Sequence, residues 1–365
     1  MHHQSTDGGG CASAQRERLY WNNVRGIAIM LMLWGHAIQY CGLGQLPVFE
    51  NRVFLSIYSF HMPLFMLVSG FLFHRSCEKR SLPELLMHRV AGLLWPILGG
   101  TVLNNLLMLL PQAILSHGEN LSVWNGALLN GWSELIWFLW SLLAASVVTG
   151  ISCKIGKTPW KRGLFLILCL PLLALFPNVN YNLLMYPFFL TGYELAKHKA
   201  FWQPRLKRWR ILIYLLFPLL LMGYGTEHLS FVTTVFPLAP RGFWPAVLFE
   251  GFRFLTGLFG SLFVLVSCDL LLPKISGSFK PVRLLNKLGQ SSLQIYILSI
   301  PLFSGFLPHL MQKAAELLSD AFWTESILFY NWVFTPLVSI AYAFGLLLVF
   351  RLMQRAKIDR LFFGR

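Results

Sequence analysis

The stretch VRGIAIMLMLWGHAIQY, residues 24–40, is an apolar run of helical length that contains one arginine, Arg25, and one histidine, His36. These side chains are eleven residues apart. They therefore share one face of a helix, with roughly 16 Å between them along its axis. An arginine inside a membrane span is costly unless it reaches the interface or faces a polar cavity, so it usually has a function. The stretch predicts a transmembrane helix with a polar stripe; an interfacial anchor for Arg25 and a packed polar residue for His36 are the structural alternatives.

The composition is that of a membrane protein. Of the 365 residues, 56% are hydrophobic and 12% are charged, and the mean hydropathy is +0.58, whereas about a quarter of an average soluble domain is charged. No soluble block interrupts the apolar runs for long enough to form a separate domain. We expect a disordered cytoplasmic tail over residues 1–18 without a cleaved signal peptide, one membrane domain over 19–355, and a short cytoplasmic tail over 356–365.

Apolar segments of about 20 residues predict about ten transmembrane helices. They lie near residues 22–42, 54–73, 89–110, 135–152, 163–177, 181–197, 210–225, 245–268, 291–309 and 330–351. Outside the spans, Lys and Arg lie on the side of the N-terminus, apart from Arg52, Arg241 and Lys313. This asymmetry predicts an all-α, polytopic membrane helical bundle with both termini cytoplasmic. The formal net charge of +15 is then a topology signal that favours anionic membrane lipids, and not nucleic acid, as partners.

Other polar side chains lie within the predicted spans. His61 is in the outer half of the second span, at a depth similar to that of His36, and Ser69 follows about two turns below it. Two imidazoles at one depth indicate general acid–base chemistry or a polar ligand. A hydrogen bond between helices is the structural alternative for His61.

Three more charged residues complete the candidate site. Glu250 and Arg253 are three residues apart in the outer half of the eighth span, a spacing that predicts either ligand contacts or an internal ion pair. Arg89 opens the third span on the cytoplasmic side, where it binds the phosphates of a cosubstrate or simply anchors a solvated loop. The six cysteines show neither metal-ligand spacing nor a disulfide framework, so we predict no metal site.

Five motifs in order along the chain carry a family resemblance. The first is Arg25, ten residues, then His36, within YWNNVRGIAI and LWGHAIQY. The others are IYSFHMPLFMLVSGFLF at 57–73, LIWFLWSLL at 135–143, MYPFFLTGYELAK at 185–197 and LGQSSLQIYILSIPL at 288–302. With these motifs the sequence resembles the acyltransferase 3 family of membrane acyltransferases, especially its fucose 4-O-acetylase-like branch. It departs from the family pattern at Asn22, where the family often has Asp, and at Ser299, where it often has His.

The resemblance implies an O-acyltransferase of the bacterial cytoplasmic (inner) membrane without a bound cofactor. It would move an acetyl group from cytoplasmic acetyl-CoA to a hydroxyl of a cell-envelope or exported sugar. His36 is the expected general base, or the nucleophile that carries the acetyl group, while Arg25 holds the coenzyme or orients His36. Arg89 is expected to bind the donor, and the residues expected to bind the acceptor are His61, Ser69, Glu250 and Arg253.

Two other classes of protein also contain many membrane spans. A secondary transporter of a glycan intermediate or small polar solute fits ten spans with buried charges. A structural membrane subunit gives no reason for the Arg25–His36 spacing together with the FHMP sequence around His61. Transfer of a labelled acetyl group distinguishes an enzyme from a transporter.

Overall fold

A computed structural model gives the fold and describes residues 7–42, 47–115, 136–155, 158, 167–168, 170–232, 242–275, 279–301, 303 and 327–364. These residues contain twelve α-helices of at least five residues and no strand. The helices are α1 Asp7–Cys41, α2 Arg52–Lys79, α3 Leu82–Leu115, α4 Trp137–Ile155, α5 Val179–Lys197, α6 Lys199–Arg208, α7 Arg210–Met222, α8 Phe243–Leu271, α9 Lys280–Gln290, α10 Ser292–Pro301, α11 Thr335–Arg355 and α12 Asp359–Phe363. A short helix Ile327–Phe329 and a π-helical turn Tyr330–Phe334 lead into α11.

The centre of the bundle is formed by α1 and α2. Helix α1 packs against α2, α8, α9, α10 and α11, and α2 also packs against α4, α5 and α8. Apolar side chains on several sides of α1, including Val24, Leu33 and Ile38, are completely buried. The two helices that carry Arg25, His36 and His61 are therefore surrounded by other helices.

The surface of the bundle suits a lipid environment. Five helices of the described residues are long and apolar enough to cross a membrane, namely Arg52–Lys79, Leu82–Leu107, Trp137–Ile155, Phe243–Lys274 and Ile327–Arg355. Arg210–Met222 and Ser292–Pro301 are shorter apolar helices. Large apolar side chains such as Leu215, Leu248 and Phe344 point outwards and are 66%, 72% and 57% exposed, which in water would be unfavourable for so many residues. The prediction of an all-α membrane bundle is confirmed.

The predicted spans coincide with helices wherever the structure describes them at length, with one difference. In the segment 163–177, the described part from Leu170 forms a short 3-10 helix, Leu170–Leu175. Pro171 and Pro177 flank or interrupt this segment, and proline removes a backbone donor from a regular helix. Residues 163–166 and 169 of that span, residues 302 and 304–309 of the ninth span, and Arg241 and Lys313 lie outside the described residues.

Basic residues collect at one end of the bundle, which we call the basic end. Here the beginning of α1, the ends of α2, α5 and α8, and helix α6 meet. Lys199 pairs with Glu17 at 2.7 Å, and Lys207 pairs with Asp269 at 3.7 Å. The opposite end, where α1 finishes and α2 begins, is called the far end. By the distribution of Lys and Arg, the basic end is predicted to be cytoplasmic.

Both predicted tails contain helical residues. Helix α1 begins at Asp7, within the stretch 1–18 whose composition predicts disorder, and its Glu17 is held by Lys199. Helix α12 occupies half of the predicted second tail, and its Phe363 is buried against the bundle. Both terminal helices contact other parts of the chain, and such contacts cannot be predicted from composition.

Candidate active site

His36 and His61 lie on either side of one tyrosine, Tyr58. The Tyr58 hydroxyl is 3.1 Å from Nδ1 of His36, and the Tyr58 ring contacts the His61 ring edge to face with 4.8 Å between centroids. His61 is buried, and its Nδ1 lies 2.9 Å from the carbonyl oxygen of Ile57. We call His36 and His61 the histidine pair.

The hydrogen bonds define which nitrogen of each imidazole is available. The Tyr58 hydroxyl donates its proton to Oε1 of Gln39 at 2.8 Å, so the proton between Tyr58 and His36 belongs to Nδ1 of His36. A carbonyl oxygen only accepts, so Nδ1 of His61 also carries its proton. In the neutral forms, Nε2 of both histidines is therefore an unprotonated acceptor.

A polar cavity of about 300 Å³ opens between α1, α2, α3, α4, α9 and α10 on the side of the basic end. We call it the basic cavity. Its apolar lining includes Ile29, seven residues before His36, and Met62, next to His61. It therefore reaches towards the histidine pair. Its polar lining consists of Arg25, Ser69, His88, Arg89, Gln290, Ser292, Gln294 and Tyr296.

Two guanidinium groups give this cavity its charge. Arg25 donates from Nη2 to the neutral Oδ1 of Asn22 at 2.5 Å, and Arg89 lies over the Phe73 ring, 4.7 Å from its centroid. The Nε atoms of both arginines are buried, and neither has a hydrogen-bond partner among the residues that the structure describes. Within the described part of the chain, neither arginine forms an ion pair and no acidic residue lines the cavity. Such unbalanced positive charge favours an anionic ligand.

Asn22, where the sequence departs from the family pattern, connects Arg25 to α9. Its Nδ2 donates to Oδ1 of Asn286 at 3.0 Å, and Nε2 of Gln290 donates to the same oxygen at 3.3 Å. The two helices approach closely because Gly26 and Gly289 have no side chain. A Cβ on Gly26 would collide with the carbonyl of Leu285, and one on Gly289 would collide with the carbonyl of Asn22. An amide thus holds Arg25 without cancelling its charge.

The two serine positions differ in their surroundings. Ser69, predicted with the acceptor-binding residues, lines the basic cavity together with Arg25 and Arg89. Ser299 is buried, and its hydroxyl donates to the carbonyl oxygen of Tyr296 at 2.8 Å. Its hydrogen bond therefore remains within its own helix.

Glu250 and Arg253 form an ion pair in the first half of α8, on the side of the bundle's far end. Nη1 of Arg253 donates to Oε1 and Oε2 of Glu250 at 2.9 and 3.2 Å. Arg253 also lies near the Phe249 ring, which stacks on His228 with 4.8 Å between centroids. The segment after His228 brings Phe231 to 5.9 Å from the Tyr58 ring, so aromatic side chains connect the surroundings of this ion pair to those of Tyr58.

The structure thus brings the predicted residues together in three groups: His36 with His61, Arg25 with Ser69 and Arg89, and Glu250 with Arg253. Sequence reasoning missed Tyr58 and Gln39, although each lies three residues from a histidine, the spacing of helical neighbours. It also missed Asn286 and Gln290, which no local pattern connects to Arg25. No group of three or more His, Cys, Asp or Glu residues in the described ranges is arranged to hold a metal ion.

Fold and candidate site together define a helical membrane protein with buried polar side chains in its core, the arrangement of an integral membrane enzyme or transporter. A family model described as an acyltransferase domain matches residues 18–354. The chain therefore belongs to this acyltransferase family, which confirms the family resemblance of the five motifs. Its more specific likeness to fucose 4-O-acetylases stays a prediction.

Two curated relatives are nodulation proteins. The chain is 29% identical over 204 residues to nodulation protein NolL of Sinorhizobium fredii (strain NBRC 101917 / NGR234), covering 52% of each chain. It is 27% identical over 198 residues to NolL of Mesorhizobium japonicum (strain LMG 29417 / CECT 9101 / MAFF 303099), covering 52% of this chain and 51% of the relative. The chain thus spans about half the length of the curated relatives it matches. No solved structure matches the chain.

Proposed function

We propose that this protein is a membrane O-acyltransferase that moves an acetyl group from acetyl-CoA to a hydroxyl of a cell-envelope or exported sugar. The observation that carries the proposal is the basic cavity, where two arginines have no acidic partner among the described residues. It is joined by two neighbouring histidines, His36 and His61, whose Nε2 atoms are acceptors in the neutral forms. Membership of an acyltransferase family supports the reaction class. The bacterial inner membrane, with the basic end cytoplasmic, is the location that gives access to acetyl-CoA.

In this proposal the basic cavity holds the donor. Arg25 and Arg89 bind phosphate oxygens of the coenzyme, because guanidinium groups form strong charge-assisted hydrogen bonds with phosphate. Ser69, Gln290 and Gln294 offer further hydrogen bonds to the pantetheine arm. The apolar part of the cavity at Ile29, Met62 and Phe65 then directs the thioester towards the histidine pair.

The acceptor approaches from the far end. Glu250 and Arg253 offer a carboxylate and a guanidinium to sugar hydroxyls, and Nε2 of His61 accepts a hydrogen bond from one of them. Nε2 of His36 takes the proton of the reacting hydroxyl as its oxygen attacks the thioester carbonyl. The new C–O bond forms, the C–S bond breaks, and the departing thiolate recovers the proton from His36.

A two-step route uses the same atom. Nε2 of His36 first attacks the thioester carbonyl, the C–S bond breaks, and the departing thiolate takes up a proton from solvent. The sugar hydroxyl then attacks the acetyl-imidazolium, the C–N bond breaks to restore neutral His36, and the hydroxyl proton is released to solvent. In both routes Tyr58 and Gln39 hold Nδ1 protonated and Nε2 towards the substrates. Acetyl-histidine trapped in the absence of acceptor distinguishes the second route from the first.

The first test replaces the proposed base. His36→Ala is expected to lower the rate of acetyl transfer by 10²-fold or more, since general base catalysis contributes about 10²–10⁴-fold. The assay uses purified protein in nanodiscs, radiolabelled acetyl-CoA and envelope glycans from a deletion strain. His198→Ala is the matched control, because His198 is exposed at the basic end and pairs with Glu194.

The outcomes separate the classes of protein. Label transfer by wild type and by His198→Ala, but not by a normally inserted His36→Ala variant, supports the proposal. Near-normal transfer by His36→Ala overturns the role of His36. Absence of transfer by wild type, combined with movement of a glycan across proteoliposomes, makes the protein a transporter. NMR of envelope polysaccharide from deletion and wild-type cells identifies the acceptor position from the missing O-acyl signal.

The second test concerns the donor. Arg25→Ala and Arg89→Ala are each expected to raise the KM for acetyl-CoA roughly tenfold or more. Each variant would lose one charge-assisted hydrogen bond to the donor, which is worth about 1.5–3 kcal/mol. Arg205→Ala is the control, because Arg205 lies over Phe201 on exposed helix α6. An unchanged KM for Arg89→Ala would return Arg89 to a membrane-anchoring role.

A further inference from the structure

Helix α12 lies beyond residue 354, where the match to the acyltransferase family ends. After α11 the chain turns at Ala356–Ile358, and α12 packs back against α3 and α11. Nε1 of Trp95 donates to the carbonyl oxygen of Leu361 at 3.1 Å. A Cβ on Gly99 would collide with the carbonyl of Phe362, so α3 receives α12 at a contact that has no room for a side chain.

The two sides of α12 face different spaces. Phe363 is 5% exposed, packs against Phe350 with 6.0 Å between ring centroids, and lines the basic cavity. Arg360 and Gly364 instead line an open apolar groove of about 550 Å³ on the outside of α3, together with Trp95 and Leu98. Helices α3 and α12 therefore form the wall between this groove and the basic cavity.

The lining of α3 follows the same division. Gly92 and Leu93 face the basic cavity, while Ala91 and Leu94 face the groove. No side chain on Gly92 covers the cavity at this level, and the described residues leave open space where its Cβ would be. The ring of Phe363 is the contribution of α12 to the cavity wall.

We propose that Phe363 is a donor-contacting residue and that α12 closes the side of the donor site. This inference rests on the proposed function of the basic cavity. The aromatic ring supplies an apolar contact to the coenzyme beside the two arginines, and it separates their phosphate ligands from the lipid side of α3. A residue outside the region matched by the family thus contributes to donor affinity.

The test measures equilibrium binding of radiolabelled acetyl-CoA to protein in nanodiscs, without any acceptor. Phe363→Ala is expected to weaken binding roughly tenfold, the effect of losing one packed apolar contact, and Phe363→Leu to restore part of the affinity. A chain that ends at residue 358 should bind at least as weakly as Phe363→Ala. Leu361→Ala is the matched control on the same helix, because the Leu361 side chain is 64% exposed, and it should bind like wild type.

The alternatives give different results. An unchanged dissociation constant for Phe363→Ala overturns the inference. So does a fall in thermal stability and kcat without a change in affinity or KM, because that pattern describes a purely structural residue. Since binding is measured without transfer, a wild-type protein that binds acetyl-CoA but transfers nothing contradicts the proposed function and leaves the test of Phe363 intact. A wild-type protein that binds no acetyl-CoA overturns both.

Discussion

In the proposed mechanism, Tyr58 orients His36 towards the substrates. Its hydroxyl donates to Gln39 and accepts from Nδ1 of His36, so one tyrosine sets both the tautomer and the orientation of the ring. A histidine that rotates freely offers either nitrogen, and only part of its population is then productive. The Tyr58–Gln39 contact therefore matters for the rate of the proposed reaction and little for substrate affinity.

Tyr58→Phe removes the hydroxyl that bonds both Gln39 and His36. It is expected to lower kcat about tenfold with little change in KM, because the lost hydrogen bond to Nδ1 of His36 is worth roughly 1–1.5 kcal/mol. The measurement is the rate of label transfer at saturating acetyl-CoA. Tyr214→Phe is the control, since it removes a comparable hydroxyl contact, to Ser267 at 3.2 Å, between α7 and α8. Equal rates for the two variants would deny Tyr58 any special role.

Part of this site was readable from sequence at the residue scale. Arg25 and His36 share a helical face, and His36 with Gln39 and Tyr58 with His61 have the spacing of neighbours on a helix. The bonds from Asn22 to Asn286 and from Trp34 to Thr335 join residues 264 and 301 positions apart. No local pattern encodes such pairs, because the fold of the whole bundle brings them together.

At the scale of elements, the position of Arg25 depends on how α9 packs against α1. Gly26 and Gly289 allow backbone contact between these helices, and Asn22, Asn286 and Gln290 form hydrogen bonds across the same interface. Any side chain at either glycine separates the helices. It thereby moves Gln290 and Arg25 apart at the edge of the basic cavity.

Two glycine-to-alanine variants test this contact. Gly289→Ala is expected to lower the unfolding temperature and to raise the KM for acetyl-CoA, because its Cβ meets the carbonyl of Asn22. Gly345→Ala in α11 has open space around the new Cβ, so it should be neutral, or stabilising by up to about 1 kcal/mol through helix propensity. Thermal unfolding followed by tryptophan fluorescence compares the two. A smaller loss of stability for Gly289→Ala than for Gly345→Ala contradicts the packing.

The elements themselves were predictable where they are uniformly apolar. Hydropathy identified the segments that became α2, α3, α4, α8 and α11, since each has enough consecutive apolar residues to cross a membrane. Helices α9 and α12 were not predicted. Helix α9 mixes Lys280, Arg283 and Lys287 with leucines, and α12 has only five residues, so neither gives a long apolar run.

For the whole molecule, the separation of charge predicts the orientation in the membrane. Lys79 is exposed at the basic end and Glu227 is exposed at the far end. In intact cells, a membrane-impermeant maleimide should label Glu227→Cys and should not label Lys79→Cys, measured against the background of the native cysteines. Both variants should react after the membrane is opened. Labelling of Lys79→Cys alone in intact cells would reverse the proposed orientation.

The two arginines of the basic cavity have a consequence for how the cell's metabolic state acts on the proposed enzyme. Phosphate groups are common to acetyl-CoA and to the free coenzyme released after transfer, so a site selective for phosphates retains its product about as well as its substrate. Free coenzyme then competes for the same cavity, and turnover follows the ratio of the acetylated to the free form more closely than the amount of either. Envelope acetylation would thus reflect the carbon supply of the cell without any separate regulatory site.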